Sequence, residues 1–128
     1  MGFSYLQSKV ITIATASISN GARVALAGLP DHMHWFGCNF FWPGVNSSTA
    51  IADVSFYDGP TSSSRLIIFD CRGNSLQASA AWATGSFSLM LEEDAYIQLS
   101  DGLEVEFTFS AGTGVGSQGD AVMTVFYQ

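Results

Sequence analysis

Both histidines of the chain fall in Asp31-His32-Met33-His34. On a strand, His32 and His34 project to one face, and imidazoles at that spacing can share a zinc or iron ion. Catalytic zinc takes a third protein ligand. No other His exists, and residues 35–42 contain no acid. The pair therefore reads as a loop or solvent-facing feature, with no metal and no cofactor expected. Gly114-Val115-Gly116-Ser117-Gln118-Gly119 matches the letters of a dinucleotide fingerprint. That motif must open a helix and have an acid some 20 residues on, whereas this one leads into a strand within nine residues of the last one. Glu104 and Glu106 share a strand face about 7 Å apart. A glycosidase pair comes from facing elements that line a cleft, so these acids are expected to be solvated. No G-x-S-x-G elbow is present, and a Ser-His-acid triad has no sequence support. The expectation is a protein that is not an enzyme.

What must position such residues is a set of short strands. Residues 53–59 and 65–70 are β-branched and aromatic runs joined by Asp58-Gly59-Pro60 and a Ser/Thr tract. The five-residue joint 60–64 favours an antiparallel hairpin, with Val54 and Phe56 on one face and Ser55 and Tyr57 on the other. Strands are also expected over 9–18, 23–29, 86–91 and 95–99. Leu103, Val105, Phe107 and Phe109 alternate with Glu104, Glu106 and Thr108 in a further strand. In a last one over 121–127, Val122, Thr124 and Phe126 face opposite Met123, Val125 and Tyr127. Gly and Pro punctuation argues against any helix longer than two turns. The fold expected is all-β: a single domain over residues 1–128, an antiparallel sandwich, jelly-roll-like, with about eight to ten strands.

Composition narrows the function. Charged residues are 12% of the chain, hydrophobic residues 48% and the net charge −7, against roughly 25% charged in ordinary domains. No apolar run reaches the ~18–20 residues of a membrane helix, so no membrane span is expected. Residues 1–64 sum to −1 and residues 65–128 to −6. Four scattered basic residues cannot track phosphates, so no direct nucleic-acid binding is expected. Cys38 and Cys71 lack a Cys-x-x-Cys partner and no secretory leader is legible, which reads as two buried free thiols in a chain made in cytoplasm.

The densest aromatic block is residues 35–42, Trp-Phe-Gly-Cys-Asn-Phe-Phe-Trp. Phe40, Phe41 and Trp42 are consecutive, so both faces of this strand would be apolar. Either both are covered within the domain, or one face meets a partner. A surface poor in charge is buried against protein with little desolvation penalty, and aromatic residues anchor interfaces. The residues expected at such an interface are Trp35, Phe36, Phe41 and Trp42, with loops 60–64 and 112–119 at its rim.

Three stretches resemble small structural proteins of tailed bacteriophages. They are Phe56-Tyr57-Asp58-Gly59, Gly102-Leu103-Glu104-Val105-Glu106-Phe107 and the closing Val125-Phe126-Tyr127. The resemblance covers roughly residues 52–128. It implies a virion component of the decoration or cement type, a β-sandwich that binds the major capsid protein and stabilises the shell. It also implies a homo-oligomer, with a trimer favoured, on the capsid surface after synthesis in the host cytoplasm. A tail, adaptor or fibre-associated subunit of the same virion is the alternative. A carbohydrate-binding sandwich, with Trp35 and Trp42 stacked on sugar rings, is another.

Overall fold

Alternating apolar residues on short strands have to be covered on one face, and two sheets packed face to face do this. The computed structural model describes residues 6–42, 50–61, 64–70, 85–111 and 119–128. In chain order the strands are β1 (Gln7–Ile13), β2 (Arg23–Ala25), β3 (Met33–Trp42), β4 (Ala50–Asp58), β5 (Arg65–Asp70), β6 (Gly85–Met90), β7 (Ile97–Leu99), β8 (Leu103–Ala111) and β9 (Ala121–Tyr127). The first sheet runs β1-β9-β3-β6, with β7 also paired to β3, and the second runs β2-β8-β4-β5. All pairs are antiparallel.

The connectivity is that of a jelly roll. One arm, β1 to β4, pairs in order with the returning arm: β1 with β9, β2 with β8, β3 with β7 and β6, and β4 with β5. The whole therefore behaves as one long hairpin rolled into two layers, and the tip of that hairpin is β4-β5. This is the pair expected from Asp58-Gly59-Pro60, and Gly59 takes φ +88°, which only glycine adopts cheaply.

The core lies between the sheets. Val54, Phe56, Val105, Phe107, Met123 and Val125 are sealed there, every second residue of β4, β8 and β9, as the sequence alternates. The Trp35 and Phe56 rings lie 4.9 Å apart at a 44° tilt, and Phe40 lies 5.3 Å from Phe87 and 5.5 Å from Phe107, so rings from β3 join both sheets. Trp42 is also inside, with its Nε1 donating to the Gly119 carbonyl at 3.1 Å.

Three strand limits differ from the sequence reading. The strand expected over 9–18 ends at Ile13, and Thr15–Ser17 form a 3-10 turn. Thr15 N–H donates to Asp120 Oδ1 at 3.0 Å, which pulls the chain away from the ladder. The strand expected over 23–29 stops at Ala25, because the chain turns at Gly28 with φ +90°. In residues 95–99 only Ile97–Leu99 is strand, preceded by a 3-10 turn over Glu93–Ala95. Among the described residues, no helix is long and apolar enough to cross a membrane. Residues 71–84 and the loop 112–118 lie outside the described residues, and with them Cys71 and all but Gly119 of the glycine-rich motif.

Candidate functional site

Strand β3 runs through the middle of the first sheet and decides what that sheet shows to solvent. Its register on β9 shifts between Trp35 and Gly37, a β-bulge with Phe36 as the extra residue. Gly37 takes φ +136°, and a Cβ there would sit 2.0 Å from the Leu89 carbonyl oxygen. Beyond the bulge Cys38, Phe40 and Trp42 point inward, leaving Asn39 and Phe41 outside.

The four residues expected at an interface are thereby separated. Trp35 and Trp42 are fully buried between the sheets, which also removes them as stacking platforms for a sugar ring. Phe36 is buried differently: it lies on the outer side of β3, roofed by Tyr96 at 5.6 Å. Only Phe41 opens to solvent, at 43% exposure. Three consecutive aromatic residues gave no clear alternation in sequence. In the structure they alternate normally, in-out-in.

Around Phe41 the outer face of this sheet forms three cross-strand rows. One reads Thr12, Val122, Phe41 and Ser86; the next Val10, Thr124, Asn39 and Ser88; the third Ser8, Phe126, Gly37 and Met90. None of these twelve positions carries a charge. Val10, Met90 and Val122 are exposed alongside Phe41, and Tyr96 is exposed beyond the third row. The Ser88 hydroxyl bonds Asn39 Oδ1 across two strands, so this polar pair is satisfied within the face. Such a surface gives up its water with little penalty.

The opposite outer face, on the β2-β8-β4-β5 sheet, is chemically different. Arg23, Glu106 and Ser55 form one row and Ala25, Glu104, Tyr57 and Arg65 the next. The Arg23 guanidinium lies 3.5 Å over the Tyr57 ring and donates to the carbonyls of Gly59 and Pro60 at 3.3 Å each. Tyr57 Oη donates to Glu106 Oε1 at 2.7 Å. Burial, then that bond and the Glu106 charge, push the Tyr57 phenol above its ordinary value, while Arg65 and Arg23 oppose the shift. The acids expected to be solvated are thus engaged or covered: Glu106 is half-buried and Glu104 only 8% exposed. Arg23 over the Tyr57 ring and the Tyr57–Glu106 bond tie neighbouring strands together, which strand alternation alone does not reveal.

The histidines are also parted. His32 precedes β3 and is exposed, while His34 packs at 4.4 Å against Tyr96. Among the described residues no group of three His, Cys, Asp or Glu side chains is placed to hold a metal ion. Cys38 is sealed in the core, and burial pushes its thiol up to about 12. Of the rim loops, Pro60 and Thr61 are exposed, and the rest lies mostly outside the described residues.

No protein-family model matches the chain, and no curated protein sequence does. Solved structures that align with it include a Nora virus structure, at 12% identity and a TM-score of 0.43, over 98% of this chain and 56% of that one. The crystal structure of the STIV MCP aligns at 11% identity and a TM-score of 0.41, over 98% of this chain and 42% of that one. The chain thus spans about half the length of the structures it matches.

Proposed function

We propose that this chain is a structural subunit of a virion, a decoration or cement protein that docks on the major capsid protein. The observation that carries this reading is the uncharged outer face of the β1-β9-β3-β6 sheet, with Phe41 and Val122 at its centre. In a chain of net charge −7, a four-strand face without one charged position is a surface suited to cover by another polypeptide. The resemblance of residues 52–128 to small phage structural proteins supports the virion setting. Each copy would bridge neighbouring shell subunits and oppose the outward push of packaged DNA. About 800 Å² of burial per partner is the normal scale for such a contact. A trimer on the capsid surface, made in the host cytoplasm and assembled later, completes the reading.

Particles stripped of the protein test it. Adding back the wild-type chain is expected to raise the temperature at which DNA is released, and Phe41→Asp is expected to neither bind nor protect. Equal release temperatures with and without the wild-type chain would overturn the cement role. Undiminished binding by Phe41→Asp would remove the neutral face as the contact.

A further inference from the structure

We propose that Asn20-Gly21, in the turn that enters β2, is a site of covalent modification: Asn20 deamidates by attack of the Gly21 backbone nitrogen, and only in chains whose turn has come away from β8. The sequence supplies the chemistry. Asn39 precedes Phe, and Asn46 and Asn74 precede Ser, while Asn20 alone precedes Gly. With no Cβ on the following residue, the backbone nitrogen can swing to the side-chain carbonyl without a clash. Both residues are exposed, and a Cβ built on Gly21 would meet nothing within 4 Å, so water reaches the pair.

The step balances with water as the only co-reactant. The Gly21 nitrogen gives its proton to solvent hydroxide and bonds to Asn20 Cγ. The Cγ–Nδ2 bond breaks, and Nδ2 leaves as ammonia with a proton taken from water, which returns the hydroxide. Water then opens the five-membered succinimide. Cleavage between Cγ and the Gly21 nitrogen gives aspartate. Cleavage at the main-chain carbonyl gives isoaspartate, whose backbone runs through Cβ and Cγ and is one carbon longer. Either product adds a negative charge to a chain of net charge −7.

The fold decides when this happens. Gly21 N–H donates to the Phe107 carbonyl at 2.8 Å, and Asn20 Oδ1 accepts the Phe109 N–H at 2.9 Å. Ala22 N–H donates to the Ser19 carbonyl at 3.1 Å and closes the turn. These bonds continue the three-residue ladder of β2 on β8, so Asn20 is a latch for a short edge strand. The Phe109 N–H also polarises Cγ, which favours attack. That gain is idle while the nucleophile's own proton is held by the Phe107 carbonyl, which is too weak a base to remove it. Both bonds to β8 therefore open before reaction, and two such bonds lower the opened population by at least about tenfold. The site is independent of the virion reading.

The test incubates the full chain in mildly alkaline buffer, native and in guanidinium chloride. The tryptic peptide 10–23 is followed by mass, with isoaspartate resolved by chromatography. In denaturant, Asn20 is expected to deamidate well ahead of Asn39, Asn46 and Asn74. In the native chain it is expected to react at least about tenfold more slowly than in denaturant. After refolding, the isoaspartate form is expected to lose hydrogen-exchange protection at Gly21 and Phe109. Asn20→Asp, whose carboxylate still accepts the Phe109 N–H, is expected to keep that protection, which separates the longer backbone from the added charge. Deamidation in denaturant without preference for Asn20 would overturn the site. Equal native and denatured rates, or unchanged protection in the isoaspartate form, would overturn the latch.

Discussion

Tyr57 on β4 and Glu106 on β8 are joined by a 2.7 Å hydrogen bond from phenol to carboxylate beneath the Arg23 guanidinium. The register of these strands puts Ser55 opposite Glu106 and Tyr57 opposite Glu104, so the bond runs on the diagonal. It fastens the outer side of the second sheet, whose two central strands are β8 and β4.

Replacing Tyr57 with Phe removes that bond and leaves Glu106 to water. A hydrogen bond to a charged group contributes about 1.5–3 kcal/mol, and a loss in that range is expected at pH 8 by urea unfolding. The Tyr57 phenol has its folded pKa raised, with burial the first cause. Its contribution is therefore whole below the unfolded value of about 10 and lost as pH rises through the higher folded value. Wild-type stability is expected to fall more steeply above pH 10 than that of the Tyr57→Phe variant. Parallel pH profiles for the two proteins would contradict this.

Gly37→Ala tests the bulge. The added Cβ would lie 2.0 Å from the Leu89 carbonyl oxygen and 2.9 Å from Met90 Cα, both backbone atoms of a paired strand that cannot swing aside. The loss is expected to exceed about 3 kcal/mol, at the diagnostic end of single substitutions. Thermal melting measures it, and a midpoint within a few degrees of wild type would mean the bulge relaxes freely.

Cys38 is expected to resist thiol reagents until the sandwich opens. Its pKa is raised by burial from 9.0 to about 12, and only the thiolate attacks such reagents. A raised folded value means this contribution to stability is whole below pH 9 and lost as pH climbs toward 12. In a Cys71→Ser background, labelling at pH 8 should track global unfolding in urea. Rapid labelling of the native chain would show that the core around Cys38 opens locally.

The fold class was legible because strand alternation has period two and needs no tertiary information. Phe107 opposite Thr108 and Met123 opposite Val122 sort by face in sequence as they do in space. The hairpin tip at Gly59 was legible for a local reason too, since a positive φ calls for glycine. The neutral face around Phe41 was only partly legible. Trp35, Phe36, Phe41 and Trp42 are equivalent as aromatic letters, and only the register around the bulge puts Trp35 and Trp42 between the sheets, Phe36 under Tyr96 on the outer side and Phe41 in solvent. Nothing local marks Val10, on β1, and Met90, on β6, as members of Phe41's surface, because their closeness is a product of strand order.

By itself, then, the order of residues determined which segments extend, where they turn and which side of each strand is apolar, since those follow from backbone sterics and side-chain solubility within a few residues. Only the rolled topology decided that four neutral strand faces lie side by side, and that Glu104 is covered. These juxtapositions join residues more than a hundred positions apart, as Ser8 and Phe126 are, and which strand meets which is settled by packing the whole core at once.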